Sequence, residues 1–470
     1  MHSPESTTTL VNKIWNLCHI LRGDGVSYHQ YISELTYLLF LKIAATNKTE
    51  RLIPKNYRWS DLYNYKGPDL LTHYRDILTF LGGHATDDRV RKIYSFPTTV
   101  FSHGENLRAV LDGIEKLELG TISRDTMGNI YEGLLARNSQ DARSGAGQYF
   151  TPRALTESIV RVMQPKDSEI IQDPAAGSGG FLVAAHQYIS KTRSGKASTK
   201  SSNIFEGMEI EKSTFRICLM NSFLHEMEVS LFLGDALTSD ANSLRKANLI
   251  LANPPFGNRT GSARKQRSDL VISTGSKQLA FLQHIYNGLT QGGRAAVVLP
   301  DSVLFEEGAA KRVRQDLMAK CNLHTILRLP PGLFYAQGVM TNVLFFSAEK
   351  SKIGTSSVWI YDMRSGTRPF GKKNPLTPRH FEDFEACFGN DPLGRAKRTE
   401  SQRFRSFTRK EISERDDNLD ITWLRANVPA NNDYSSEPSE ILGMLSALMR
   451  SVVEQIEDIG DQLAADEAEE

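Results

Sequence analysis

The tetrapeptide Asn253-Pro254-Pro255-Phe256 follows directly on the strand-like run at residues 247–252. Such a unit can grip a flat amine. The Asn side-chain oxygen and a carbonyl held by the stiff Pro-Pro pair can both accept hydrogen bonds from one exocyclic NH₂. Phe256 adds an aromatic face on which a base lifted out of its stack can lie. Two accepted hydrogen bonds draw electron density toward that nitrogen as it attacks an electrophilic methyl group. The same four residues would also serve as an ordinary exit from a strand, which proline commonly closes.

A second constellation lies upstream. Residues 169–172 read as a short strand, Asp173-Pro174-Ala175-Ala176-Gly177-Ser178-Gly179-Gly180 as a bend, and residues 181–189 as a helix. A glycine-rich bend between strand and helix lets backbone approach a ligand closely, with free N–H groups of the helix start facing it. The spacing is neither G-x-G-x-x-G nor G-x-x-x-x-G-K-[ST], so neither a dinucleotide nor a triphosphate is indicated. Asp173 would repel a phosphate but suits the ammonium group of a methionine moiety. Residues 203–210 read as the next strand, with Glu209 at its carboxyl end, where it can accept from two ribose hydroxyls. Residues 229–236 read as another, placing Asp235 where it can receive an adenine amino group. Singly, Glu209 and Asp235 read as solvated strand ends. In order, a methionine site, a sugar site and a base site describe S-adenosyl-L-methionine.

Taken together, these motifs resemble those of the modification (methylation) subunit of type I restriction–modification systems, an N6-adenine DNA methyltransferase. The run Gly147-Gln148-Tyr149-Phe150-Thr151-Pro152-Arg153 is similar to the family's cofactor-binding segment, which precedes the Asp-Pro-Ala-x-Gly-Ser-Gly loop. Thr151 also reads as an N-cap and Pro152 as the first position of a helix over 152–163. The resemblance implies an α/β fold: a Rossmann-like S-adenosylmethionine-dependent methyltransferase domain with an N-terminal helical domain and a C-terminal helix. It implies site-specific, adenine-specific DNA methyltransferase activity, with Asn253, Pro254, Pro255 and Phe256 as the catalytic motif. Cofactor contacts are expected from Gln148, Tyr149, Phe150, Thr151, Pro152 and Arg153, from Asp173, Ala175, Gly177, Ser178, Gly179 and Gly180, and from Glu209 and Asp235. The implied partners are double-stranded DNA, a specificity subunit that chooses the site, a motor-nuclease restriction subunit and a second copy of this chain. Two other readings stay open on the residues alone. One is an N-methyltransferase acting on protein glutamine or RNA; the other is a scaffold that has kept the fold without the reaction.

Composition sets outer bounds. At 470 residues the chain is long enough for two or three domains. Its 56 basic and 55 acidic residues nearly cancel, so no global positive field advertises a nucleic-acid partner. Cys18, Cys218, Cys321 and Cys387 lack C-x-x-C pairing and suit a reduced, cytoplasmic protein. The dispersed histidines suggest no metal site. Neither a signal peptide nor a long apolar run is visible, so no membrane partner is expected.

Four domains are expected: helical over 1–145, catalytic over 146–350, a mixed extension over 351–434, and a docking helix with acidic tail over 435–470. Leu10, Ile14, Leu17 and Leu21 recur at helical spacing, and Ser27 with Gln30 resembles a capping box. Residues 51–67 read as loop, and 107–119 and 125–137 as helices. The catalytic stretch alternates strand and helix, the pattern of a mainly parallel sheet covered on both faces. Helices are expected over 277–289 and 309–318, strands over 294–299, 323–329 and 342–346, and an edge strand over 356–361. Residues 257–276 hold Arg259, Arg264, Lys265 and Arg267 among Gly and Ser, a loop that can order on DNA phosphates. Ile441, Leu445, Leu448, Val452, Ile456 and Ile459 form an apolar seam resembling the family's helix for docking on the specificity subunit. There is no Walker-type loop or nuclease constellation, and little more than a hundred residues follow the catalytic stretch. Sequence choice, translocation and cleavage are therefore expected in other polypeptides.

Overall fold

The computed structural model describes residues 7–22, 25–46, 48–66, 69–117, 119, 122, 124–140, 151–193, 204–259, 267, 269–334, 340–348, 354–367, 370, 374–424 and 449. Gln148, Tyr149 and Phe150, residues 260–266 of the basic loop and the C-terminal seam lie outside them. The chain forms two units.

One unit takes in residues 1–150, 177–179 and 209–233. At its centre runs the helix Tyr28–Thr46, buried on every side from Tyr31 to Ala44. Its start is the expected capping box: Gln30 N–H donates to Ser27 Oγ at 3.3 Å, and Ser27 N–H to Gln30 Oε1 at 3.0 Å. The stripe begun by Leu10 and Ile14 does not run as one helix. It divides at Leu17 into Thr7–Asn16 and Cys18–Arg22, with i→i−3 bonds on either side of the break. The stretch expected as loop holds the short helix Trp59–Tyr63, and Leu70–His84 and Asp88–Ile93 are further helices. Gly104–Glu115 and Arg124–Gln140 match the two anticipated near them.

Charge is built into this interior. Glu34 is buried and accepts from Tyr74 Oη at 2.5 Å, Thr99 Oγ1 at 3.0 Å and Val100 N–H at 2.9 Å. Burial pushes its carboxyl above the usual range despite those bonds. Arg216, on the helix Lys212–Leu224, donates to Ser33 Oγ at 2.6 Å and to Ile93 carbonyl at 3.0 Å, and stacks on Tyr37 at 4.1 Å. Lys212–Leu224 is thus locked to the N-terminal helices. The unit also holds the strand Val229–Leu233, β3 in chain order.

The other unit is a sheet with helices. In chain order its strands are β1 (Ile170–Asp173), β2 (Ile204–Glu209, whose last residue belongs to the first unit), β4 (Ala247–Ala252), β5 (Leu289–Pro300), β6 (Asn322–Arg328), β7 (Thr341–Ser347), β8 (Ser357–Asp362) and β9 (Phe404–Thr408). They lie side by side as β2-β1-β4-β5-β7-β6-β8-β9. Pairings β1–β2, β1–β4, β4–β5 and β6–β8 are parallel, whereas β5–β7, β6–β7 and β8–β9 are antiparallel.

The sheet is parallel from β2 to β5, as expected, and antiparallel pairs enter beyond β5. Residues 329–340 carry Pro330-Pro331-Gly332 and no helix among those described, so β7 turns straight back between β5 and β6. Residues 356–361 do form a strand, β8, but it is not an edge, because β9 covers its outer side. The core packs Ile250, Val297, Leu299 and Phe346 of the strands against Leu282, Ile285, Val313 and Leu317 of the helices Lys277–Gly288 and Ala309–Lys320.

One buried cation fixes the helix that precedes β1. Arg153–Met163 ends with Gln164 at φ 46°, leaving carbonyls without helical partners. Arg294 of β5 donates to the Met163 and Gln164 carbonyls, both at 2.8 Å, and pairs with Glu169 at 2.7 Å. Its side chain is 5% exposed and that of Glu169 13%. Glu169→Ala should leave a guanidinium buried without its counter-charge and cost about 3 kcal/mol, read as a lower urea midpoint. A loss under about 0.5 kcal/mol would mean that this anchor is dispensable.

Candidate active site

Two loops that the sequence separates by some seventy residues leave one sheet edge. β1 and β4 are parallel neighbours, with Ile171 opposite Leu249 and Gln172 opposite Ile250. Asp173 follows at the end of β1, and Asn253 comes just after Ala252 at the end of β4. Adjacent strands lie about 4.8 Å apart, so both loops emerge side by side. β1 continues in sequence to β2 on one flank and has β4 on the other, and at such a reversal of strand order open α/β sheets bind ligands.

Asn253 is half-buried, and its Nδ2 donates to Thr151 Oγ1 at 3.0 Å. That leaves Oδ1 as an acceptor. Pro254 is buried, while Pro255 and Phe256 are half-buried. Just beyond, Gly257 at φ 92° turns the chain; its N–H donates to Gln278 Oε1, and Lys277 N–H donates to its carbonyl, both at 2.9 Å. A bridge between Asn258 and Ser276 and a bond from Arg259 N–H to Gly275 carbonyl continue the clamp. The motif is thus pinned to the start of Lys277–Gly288. Gln278 is a site residue that its position in the first turn of an ordinary helix did not reveal.

Thr151 and Pro152 stand one step away from their expected roles. The helix starts at Arg153, and Pro152, at ψ 130°, is its N-cap. The carbonyl of Pro152 accepts from Leu155 and Thr156 N–H, so Thr151 caps nothing and its hydroxyl is engaged by Asn253 instead. Proline at the cap is tolerated because its fixed φ suits an extended residue. Arg153 is exposed and bonds Glu157 one turn on at 2.8 Å.

Along the glycine-rich loop, Asp173 is buried and its Oδ1 accepts from Ala175 N–H at 3.0 Å. The carboxylate expected to face an ammonium therefore also holds its own loop in shape. Ala175 is half-buried, and Ala176 N–H donates to the Met208 carbonyl of β2 at 2.9 Å. Gly180 opens the helix Gly180–Thr192.

In the first unit, Glu209 is 5% exposed. Its Oε2 accepts from Gly177 N–H at 2.9 Å and its Oε1 from Glu211 N–H at 2.8 Å. Burial raises its carboxyl above the usual range, and those two bonds oppose the shift. The carboxylate, with about four acceptor positions, keeps room for a further donor. Gly179 sits at φ 80°, and a Cβ there would lie 2.8 Å from Cys218 Sγ, so the loop runs close against the helix Lys212–Leu224. From that helix Asn221, 1% exposed, donates to the Ser178 carbonyl at 3.0 Å. Nothing in its mid-helix position marked it. Ile210, next to Glu209, is 62% exposed, an apolar face beside a buried carboxylate that the strand reading passed over.

Asp235 lies in a turn beyond β3, not on a strand. Its Oδ1 accepts from Leu237 N–H at 2.9 Å and its backbone carbonyl from Thr238, which leaves Oδ2 as an open acceptor among the described residues. Of the basic loop, Arg267 is half-buried and engages Asp269, the Ala236 carbonyl at 3.3 Å and His284 Nδ1 at 2.7 Å. Burial and the neighbouring guanidinium push His284 down to about 3, so it faces Arg267 as a neutral acceptor. That cation is spent on the protein rather than left for phosphate.

Comparisons with known proteins identify relatives of this chain. Residues 122–431 match the N-6 DNA Methylase family and residues 10–117 the HsdM N-terminal domain. The chain is 38% identical to the EcoKI methylase subunit of a type I restriction enzyme from Escherichia coli (strain K12), covering 98% of this chain and 96% of that one. The crystal structure of the EcoKI M protein aligns with a TM-score of 0.56 over 96% and 94% of the two chains. The StySPI methylase subunit from Salmonella potsdam is 39% identical over 94% of this chain and 95% of its own. A solved chain from a type I restriction–modification system aligns at TM-score 0.72 and 26% identity, covering 98% and 99%.

Two variants test the glycine loop and its carboxylate. Gly179→Ala combines a left-handed φ with a clash on Cys218 and should cost roughly 1–3 kcal/mol in chemical denaturation. Adding Cys218→Ala should recover the clash but not the backbone strain; full recovery would deny the strain. A carboxyl raised in the fold stabilises it most below its unfolded value and loses that contribution as pH rises through the folded value. Glu209→Gln should therefore gain stability relative to the native chain as pH rises through that window. Parallel stability–pH curves for the two proteins would contradict it.

Proposed function

This chain belongs to the N-6 DNA methylase family, with type I restriction enzyme methylase subunits as relatives over nearly its whole length, and from that premise we propose that it is the modification subunit of such a complex. It transfers a methyl group from S-adenosylmethionine to N6 of an adenine flipped out of duplex DNA. A separate specificity subunit selects the site, a restriction subunit supplies cleavage, and a second copy of the chain completes the complex. The observation that carries the reading is the parallel β1–β4 pair, which delivers the Asp173 loop and Asn253 to one edge.

The residues present suit the cofactor. Glu209 would take the ribose hydroxyls on its spare lone pairs, with exposed Ile210 beside it as an apolar face, and Asp235 would accept from an amine on its free Oδ2. The loop from Asp173 to Gly180, where Gly179 leaves no room for a Cβ, would hold the methionine portion, with Thr151, Pro152 and Arg153 beside it. By the resemblance of their segment, Gln148, Tyr149 and Phe150 would be further cofactor contacts. When bound, the cofactor supplies a methyl group made electrophilic by its sulfonium.

The protein's part is placement and polarity. Extruding the adenine costs a few kcal/mol of unstacking. Phe256 replaces part of that loss by stacking, and the Pro254 carbonyl and Asn253 Oδ1 accept from the two N6 hydrogens. Those bonds fix the direction of the nitrogen lone pair and enrich it, so orientation and preorganised dipoles provide most of the acceleration. N6 releases one proton to water as its bond to the methyl carbon forms and the carbon–sulfur bond breaks with its electron pair left on sulfur. The motor, the nuclease and the choice of sequence lie with partners. No described helix is long and apolar enough to cross a membrane.

The deciding assay offers tritiated S-adenosylmethionine with duplex DNA, RNA or protein to the chain assembled with its specificity subunit. Label should enter DNA alone; label in RNA or protein would overturn the reading. Asn253→Ala should abolish transfer while calorimetry still detects cofactor binding. Phe256→Ala should weaken retention of the flipped base by roughly 1–3 kcal/mol, and unchanged retention would remove stacking from the mechanism.

A further inference from the structure

We propose that Thr151 is a positioning residue for the catalytic carboxamide: its hydroxyl takes up the Nδ2 end of Asn253, so that Oδ1 is the end left for the target amine. This rests on the reading of Asn253 given above. A carboxamide has two ends of nearly equal shape and opposite polarity, and only the oxygen can accept from an N6 amine. When Oδ1 is committed to that amine, Nδ2 needs an acceptor of its own. The Thr151 hydroxyl lies 3.0 Å from Nδ2 and provides one.

Three features hold that hydroxyl in place. The helix start makes no claim on it, because the Pro152 carbonyl receives the first helical N–H groups. Thr151 precedes a proline, which confines its backbone to extended conformations, and its β-branched side chain is stiff at χ1. At the other end of the same helix, Arg294 fastens the Met163 and Gln164 carbonyls to β5. A serine would keep the hydroxyl with a looser rotamer, whereas a valine would keep the shape and lose the acceptor.

This role differs from that of a cofactor contact, and the two separate in one experiment. Thr151→Val and Thr151→Ser are compared with the native chain and with Asn253→Ala, each assembled with the specificity subunit. The readouts are kcat on duplex DNA, the S-adenosylmethionine Kd by calorimetry, and the urea midpoint. Expected is a kcat lower by roughly 10- to 100-fold for Thr151→Val, the scale of one hydrogen bond lost at the reacting carboxamide, with Kd unchanged and any fall in the urea midpoint too small to account for the lost rate. Thr151→Ser should restore most of the rate. A Kd raised in Thr151→Val with kcat unchanged would make Thr151 a cofactor contact and overturn the proposal, as would a valine variant with native kcat. If Asn253→Ala itself retained activity, the catalytic assignment of Asn253 would fail first, and the role of Thr151 with it.

Discussion

The parallel pairing of β1 with β4 is the constraint on which the site depends. Because the two strands point the same way, the chain leaves both at one edge, first as the glycine-rich loop and later as Asn253. An antiparallel pair would have sent these loops to opposite ends of the sheet. Parallel pairing needs long crossovers, and between β1 and β4 the chain supplies the helices Gly180–Thr192 and Lys212–Leu224. Those crossovers do more than return the chain, for the second backs the glycine loop through Cys218 and Asn221.

Buried cations fix what apolar packing alone would leave adjustable. A hydrophobic face tolerates small slides, but a guanidinium with several directed donors does not. Arg294 sets the far end of the helix that begins beside Thr151, and Arg216 sets Lys212–Leu224 against the N-terminal helices. Such groups add little net stability over apolar replacements; what they contribute here is a defined position. The same principle operates at small scale where Gln278 holds the turn after Phe256.

Much of the scaffold was legible from local pattern. The run at residues 247–252 is β4 to the residue, and the helix after the glycine loop, the Ser27–Gln30 box and Glu209 at the end of β2 lie where their spacing put them. The stripe Leu70, Tyr74, Ile77, Leu78 and Leu81 carries the same local signal, a helical spacing of apolar residues. Other features carry no local signal. That β7 enters antiparallel between β5 and β6, or that β9 covers β8, is a matter of which strand finds which partner. Asn221 and Gln278 look like ordinary helix residues until the loops they hold are folded beside them.

The chain's own order of residues decided which chemistry was available: an amide, a stiff dipeptide and an aromatic ring after one strand, and glycines with acidic strand ends after others. These are properties of neighbours in sequence, where strand period, turn geometry and side-chain type act over a few residues. Only the tertiary structure decided which groups would meet. Thr151 and Asn253 are 102 positions apart, and no local rule relates them; the hydroxyl that reads as a helix cap is released from that task by Pro152 and given to the carboxamide. Hydrogen bonds reach about 3 Å, so a partner across the sheet is chosen by strand pairing and helix anchoring.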